Sequence, residues 1–491
     1  MNLALALRSR IEQNPAAIAI ESREQCWTFA DLADRSARGA THLLAAAPPG
    51  DGPIAMLMPG DARFFAWFCA VALAGRIVLP LNARLTAAEL VQQLDDARVQ
   101  YLICDADDAR LAKIRAQVPG LVAVETPAFD ALPVTAAHLP GEAATSESTL
   151  AVLFTSGTSG RAKGACLSWG NFAASAAGSL ERLGPAVGKR WLSCMPLFHV
   201  GGLSILVRGM LYGGPVRVLS RFEVTEVSDA LDSGDIAGVS LVPTMLSRLL
   251  EHRAGRPASA GLEVLLLGGA AAPPELLARA AVLGYPVFST YGLTEATSQV
   301  ATARSRAVAT AESPPMFPLQ GTDVRVVTGG RGAAVGEPGE ILVRGPTVMA
   351  GYLGNEEATA RVSRDGWLHT GDVGLLDAEG GLHVLDRRDD LIVSGGENVY
   401  PAEVEAVLLE HPSVAEAGVA SLPDADLGAR VVAWIVLRDG VAADAAALSA
   451  YCSDRLAGYK RPREFRFVGS LPRTASGKLQ RRRLASLTRN S

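Results

Sequence analysis

Ten residues, TSGTSGRAKG at positions 155–164, constrain this chain more than any other stretch. They set the hydroxyls of Thr155, Ser156, Thr158 and Ser159 among Gly157, Gly160 and Gly164, and add Arg161 and Lys163. The apolar run before them, 150–154, reads as a buried strand. Glycines let backbone N–H groups converge into a concavity, and hydroxyls and a lysine add donors matched to phosphate oxygens. A Walker A loop needs Gly-Lys followed by Ser or Thr, whereas Gly164 follows Lys163 here. The segment therefore reads as a phosphate cradle of another design. A flexible linker rarely interleaves so many donors directly after a strand.

The surrounding pattern predicts an α/β fold. A strand over 53–58, a buried helix over 64–75 ending at Gly75, and a strand over 77–81 alternate as in parallel sheets covered by helices. The run 262–267 repeats the theme, with the turn Gly268-Gly269-Ala270 and a helix opened by Pro273 and Pro274. Beyond about residue 320, shorter strands at 323–327, 340–343 and 382–385 are joined by Gly-rich turns. A charged knot, DRRDD at 386–390, then precedes a new pattern. It comprises a helix from Pro401 with Val404, Val407 and Leu408 on one face, and strands over 431–437 and 464–468. The predicted division is a large domain over 1–388 and a small α+β domain over 389–491, with the knot as hinge.

With 491 residues the chain exceeds the size at which single cores split into domains. A net charge of −5 argues against a nucleic-acid binder. Six cysteines without a CxxC pair suggest neither a zinc site nor a disulfide framework, which fits a reducing cytosol. The longest apolar stretch, 64–75, is about half of the ~20 residues a membrane span needs, and MNLALALRSR has too short an apolar run for a signal peptide. A cytoplasmic protein with no membrane insertion is expected.

Five further segments carry chemistry. YGLTEA (291–296) follows a strand, at the end where open α/β sheets place ligands. Its Tyr291 offers a stacking face and Glu295 a hard oxygen for nucleotide-bound Mg²⁺. GWLHTGD (366–372) ends in Asp372, suited to two ribose hydroxyls or to capping a turn. SGGEN, after the knot, has glycines that allow close approach. PLFHVGG (196–202) sets His199 beside two glycines, and a lone histidine is more often structural than catalytic. PRTASGKLQRRRL (472–484) holds Lys478 in a Gly-bearing turn before three arginines, an anion attractor or a solvated face.

In this order the motifs resemble the adenylate-forming superfamily of acyl- and aryl-CoA synthetases, luciferases and peptide-synthetase adenylation domains, over essentially the whole chain. PLFHVGGLSIL, PVFSTYGLTEATSQV and LDRRDDLIVSGGENVYPAEVE are similar to the o-succinylbenzoate–CoA ligases of menaquinone biosynthesis. Asp386 stands where most of the superfamily has glycine. The resemblance implies a barrel-like β subdomain beside the parallel sheets, a mobile C-terminal domain, and two half-reactions. ATP and a small-molecule carboxylate would give acyl-AMP and pyrophosphate, and the coenzyme A thiol would then displace AMP.

Implied roles follow residue by residue. Thr155, Ser156, Gly157, Thr158, Ser159, Gly160 and Lys163 would hold phosphates. Gly269, Ala270, Ala271 and Tyr291 would line the adenine site, Thr294 would meet the α-phosphate, and Glu295 the Mg²⁺. Asp372 and Arg387 would hold the ribose, and Asp389 would be the hinge. Gly395 and Gly396 would line the pantetheine tunnel. His199 would gate an acyl pocket with Gly201 and Ser298, and Lys478 would bridge the reacting carboxylate and α-phosphate. The chemistry is consistent, because bringing two anions together needs preorganised positive charge, and an acyl-adenylate needs shelter from water.

Gly201 departs from several o-succinylbenzoate ligases, which have serine there. That keeps open a general aryl- or medium-chain acyl-CoA synthetase, although Ser298 is available nearby. A peptide-synthetase module is disfavoured because PLFHVGG lacks the aspartate that pairs with an ammonium group. A catalytically dead binding protein is disfavoured by the intact ligand-contacting positions, Lys478 included.

Overall fold

The computed structural model describes the chain except residues 1, 48–49, 51, 134–139, 156–161, 271, 305–313, 387–390, 439–440, 442, 473–478, 480 and 488–491. Two large sheets organise residues before 387. In the first, strands Val122–Glu125, Tyr101–Cys104, Pro53–Leu57, Ile77–Pro80 and Thr149–Thr155 run parallel in that spatial order. Lys163–Ser168 and Gly351–Tyr352 close its edge antiparallel. The apolar stretch near residue 64 is the helix Ala62–Leu73, started by the Asp61 side chain accepting from the Phe64 N–H and stopped at Gly75. Phe64, Phe65, Trp67 and Phe68 are all buried on it, so it is hydrophobic all round, as an interior helix must be.

The second sheet has a parallel half and an antiparallel half joined edge to edge. Ile18–Glu21, Val216–Val218, Trp191–Ser193, Gly238–Leu241, Val264–Leu267 and Val287–Leu293 form the parallel run. From Val287–Leu293 the pairing turns antiparallel through Ser298–Ala303, Met316–Pro318, Leu382–Asp386, Trp367–Leu376, Gly339–Arg344 and Asp323–Thr328. The short strands expected beyond residue 320 thus continue the parallel sheet through a shared strand.

Residues from 391 make their own layers, called here the C-terminal unit. A hairpin, Ile392–Ser394 with Glu397–Val399, leads into the helix Pro401–Leu409. A long antiparallel pair, Val414–Asp424 with Gly428–Leu437, takes Glu464–Phe467 as a parallel third strand. Val404 and Leu408 are fully buried against Val419, Ile435 and Leu448, as the helical spacing requires.

Candidate active site

The C-terminal ends of strands from both large sheets converge on a cavity of about 280 Å³, lined at its centre by Pro80, Thr155, Leu241 and Gly268. Open α/β sheets place ligands at this edge. Thr155 and Lys163, which flank the donor-rich loop, pair across the antiparallel strands Thr149–Thr155 and Lys163–Ser168. Thr155 lines the cavity, and the Lys163 ammonium sits 5.4 Å over the Tyr352 ring. Ser156, Gly157, Thr158, Ser159 and Gly160 lie outside the described residues, as do Ala271, Arg387, Asp389 and Lys478.

YGLTEA is built differently from the loop expected. Strand Val287–Leu293 runs through Tyr291 and pairs with Ser298–Ala303, with a register shift at Tyr291/Gly292. Tyr291 is buried, and its hydroxyl donates to the Asp372 carboxylate at 2.6 Å. Asp372 itself lies within strand Trp367–Leu376 instead of capping a turn. The structure therefore joins the expected adenine and ribose residues directly. Only glycine fits at 292, because a Cβ there would stand 1.6 Å from the Ser298 carbonyl oxygen. Thr297 and Ser298 both take left-handed backbone conformations, φ 51° and 81°. Such strain costs on the order of 1–3 kcal/mol per residue and collects at functional sites. Here it turns Ser298 into the cavity lining beside Thr294 and Glu295.

Thr294 and Glu295 occupy a short 3₁₀ turn, Thr294–Ala296, and the Tyr352 hydroxyl donates to Glu295 Oε1 at 2.8 Å. Among the described residues no cluster of three acidic, histidine or cysteine side chains could hold a metal alone. A single carboxylate is still enough for Mg²⁺, which is held mostly by phosphate oxygens and water. Gly268 and Gly269 also line this end, and Ala270 is half-buried beside them.

At the other end His199 caps the helix Val200–Tyr212, and Gly201 and Gly202 follow in its first turn. Gly201 lines the cavity, with no atom within 4 Å of where its Cβ would be. The sequence reading missed Arg208, which lies on the same helix and also faces the cavity. Its guanidinium stacks 4.8 Å over Trp191 and reaches Gln299 Oε1 at 3.3 Å. Its Nη2 is buried and has no hydrogen-bond partner among the described residues. Burial pushes this guanidinium down to about 10, so it is still charged at neutral pH. The signal was present as the single charge in VGGLSILVRGMLY.

The C-terminal unit closes the cavity. Gly395 and Gly396 form its hairpin turn, and a Cβ on Gly396 would meet Val242 Cγ2 at 2.9 Å. The next residue, Glu397, inserts between His199 (Nε2–Oε2 3.0 Å) and Arg84 (Nη1–Oε1 2.6 Å). Burial alone would raise the Glu397 carboxyl, but His199 and Arg84 together hold it below the usual carboxylate range. SGGEN was singled out for its glycines, and the charge that follows them makes the contact.

Comparison with known proteins agrees with this architecture. A family model described as AMP-binding enzyme matches residues 7–353, and that of the AMP-binding enzyme C-terminal domain matches residues 403–478. The chain belongs to the AMP-binding enzyme family. A 2-succinylbenzoate–CoA ligase of Geobacillus kaustophilus is 40% identical over 481 residues, covering 98% of this chain and 97% of the relative. A double mutant of the o-succinylbenzoate CoA synthetase of Bacillus subtilis, bound with a product analogue, superposes with a TM-score of 0.92. It is 37% identical, with 99% of this chain and 98% of the other covered. The same synthetase in complex with its acyl-adenylate intermediate gives a TM-score of 0.73 at 36% identity, with 99% of each chain covered. In complex with ATP and magnesium it gives 0.73 at 37%, covering 98% and 99%.

Proposed function

We propose that this chain is an ATP-dependent, AMP-forming acid–CoA ligase that converts 2-succinylbenzoate to 2-succinylbenzoyl-CoA through an acyl-adenylate, a step of menaquinone biosynthesis. The observation that carries the substrate is the buried Arg208 guanidinium with an unpartnered Nη2 at the acyl end of the cavity. A buried cation without a carboxylate is costly, and a second carboxylate on the substrate would relieve it. Ser298 and Gln299 stand beside it with further polar atoms.

In the first half-reaction, the donor-rich loop from Thr155 to Lys163 holds the phosphates, and Asp372 with Arg387 holds the ribose. Gly269, Ala270, Ala271 and Tyr291 shape the adenine site. Thr294 orients the α-phosphate, and Glu295, steadied by Tyr352, ligates the magnesium, which neutralises phosphate charge when bound. Lys478 adds positive charge where the carboxylate oxygen meets the α-phosphate. Pyrophosphate leaves, and the acyl-adenylate stays in a site closed to water.

In the second half-reaction the coenzyme A thiol enters past Gly395 and Gly396, attacks the acyl carbon, and AMP leaves. His199, held by Glu397, is kept clear of the acyl group at this stage. The two demands conflict, because Lys478 and the Gly395–Gly396 turn belong to one unit that presents one face at a time. We divide the chain into 1–388 and 389–491 on this ground, with Asp389 as hinge. The cytoplasmic placement rests on the unpaired thiols, including buried Cys69, Cys104, Cys194 and Cys452.

The test is kcat/KM for AMP release and thioester formation across o-succinylbenzoate, benzoate, hexanoate and malonate. O-Succinylbenzoate should lead by at least ~10-fold, the discrimination expected when a buried polar group loses its partner. A lead for benzoate or hexanoate would transfer the assignment to a general aryl- or medium-chain acyl-CoA synthetase, the reading that open Gly201 favours.

A further inference from the structure

The C-terminal unit is joined to the rest of the chain by a second ionic contact, whose lysine lines the same cavity as His199. Lys460 sits in the turn between helix Ala445–Ser453 and strand Glu464–Phe467 and is only 4% exposed. Its ammonium donates to Glu89 Oε1 at 2.8 Å and to Glu403 Oε1 at 2.6 Å. Glu89 belongs to helix Ala87–Asp96, before residue 387, and Glu403 to helix Pro401–Leu409 in the C-terminal unit. Beside this triad, Asn82 donates to the Tyr459 hydroxyl at 3.1 Å.

The arrangement divides unequally. Lys460 and Glu403 lie in the same unit and travel together, so movement of the unit breaks only the arm to Glu89. Breaking a buried pair is expensive when it strands an unpaired charge in a dry interior. Neither side is stranded here. Lys460 keeps Glu403, while Glu89 keeps its capping box, in which its other oxygen accepts from the Thr86 N–H and hydroxyl, each at 2.8 Å. Such a contact holds the unit in register and still releases it. An apolar patch of the same extent would fix position less sharply, having no directional bond.

We propose that Lys460 is a positioning residue for thioester formation. Its reversible bond to Glu89 holds the C-terminal unit where Glu397 reaches His199, and it is released for adenylation. The proposal rests on the acid–CoA ligase reading above.

Glu89→Gln is the cleaner test, because Gln at this helix position still serves the capping box and leaves Lys460–Glu403 untouched. Thioester formation from supplied acyl-adenylate and coenzyme A should fall about 10-fold, as expected for a lost charged hydrogen bond. ATP–pyrophosphate exchange should hold at or above the wild-type rate, with Tm unchanged. Lys460→Met should skew the half-reactions the same way, with a lower Tm because Glu403 loses its cation. Equal loss in both half-reactions of Glu89→Gln, or no change in either, would overturn the proposal. If the wild type shows neither half-reaction with any carboxylate, the ligase reading itself falls, which is a separate outcome.

Discussion

Two clusters at the cavity are made in opposite ways. In the rigid one, Arg208, Gln299 and Trp191 come from elements of one sheet and its covering helix, all tightly buried. In the other, buried Glu397 arrives from the C-terminal unit to meet His199 and Arg84, and the His199 side chain is 38% exposed. The first is held by packing within one part of the fold. The second is a buried carboxylate meeting two more exposed partners across the boundary of the C-terminal unit.

The sharpest way to break the rigid cluster is Gly292→Ala. The new Cβ would stand 1.6 Å from the Ser298 carbonyl, and the atom in the way is backbone, so strands Val287–Leu293 and Ser298–Ala303 must part. We expect a loss of about 3 kcal/mol or more in stability, at the high end for a single overpacking change. Adenylation should be abolished with it, because Tyr291, Thr294 and Ser298 all hang on this pairing. Denaturant titration and ATP–pyrophosphate exchange measure both. A stable variant with normal exchange would show that the bulge does not position the site.

Arg208→Met comes next and separates recognition from stability. Kcat/KM for o-succinylbenzoate should fall about 10²-fold, while that for benzoate changes little. Stability should hold or rise, because an apolar side chain replaces a buried cation lacking a carboxylate. A uniform drop over all acids with a lower Tm would make Arg208 a structural residue stacked on Trp191.

Legibility in the sequence follows the same division. The Thr294–Glu295 turn and the SGGEN turn were readable because glycine, hydroxyl and charge stand together locally, whereas most of the loop 155–164 lies outside the described residues. The lone charge of Arg208 was visible in the sequence, but its setting was not. It sits in an apolar helix, and its meaning depends on Trp191 and Gln299, which only the fold brings near. Tyr291 was named, but its burial and its bond to Asp372 were not expected, since they come from a strand continuing past its expected end. Strand Val414–Asp424 was missed because VAEAGVASLPD has three alanines, strong helix formers, and only two β-branched residues. Pairing with Gly428–Leu437 along nearly its whole length overrides that preference. The Lys460–Glu89 and Glu397–His199 contacts were invisible for a similar reason, as the partners lie 371 and 198 residues apart.

At the contact of the C-terminal unit, Glu397→Gln should slow thioester formation about 10-fold and leave adenylation near the wild-type rate, the loss of a charged hydrogen bond in one arrangement only. The pH dependence has a definite sign. Glu397 titrates below its ordinary value of 4.5 because His199 and Arg84 outweigh its burial. Its stabilisation is therefore fully present above that value and is lost as pH falls through the folded one. The Tm gap between wild type and Glu397→Gln should stay constant down to about pH 5 and shrink only in stronger acid. A gap that closes between pH 8 and 6 would mean that the carboxylate is not held this way.

The smallest effect belongs to Gly201→Ser, at a second glycine that lines the cavity with Gly292. No atom lies within 4 Å of the Cβ position at 201, so the substitution meets no obstacle, where at 292 the backbone itself is in the way. Gly201 is in the first turn of helix Val200–Tyr212, where serine is acceptable, and Tm should hold or rise slightly because the unfolded chain loses freedom. The hydroxyl would enter the cavity that Arg208 and Ser298 already line. One added hydrogen bond to a carboxylate is worth about 1.5 kcal/mol at most in a wet pocket, so o-succinylbenzoate should gain a few-fold in kcat/KM and benzoate nothing. If instead the serine lowers o-succinylbenzoate turnover while sparing hexanoate, the open space at Gly201 is occupied by substrate carbon. The pocket would then suit a bulkier acid than the one Arg208 selects.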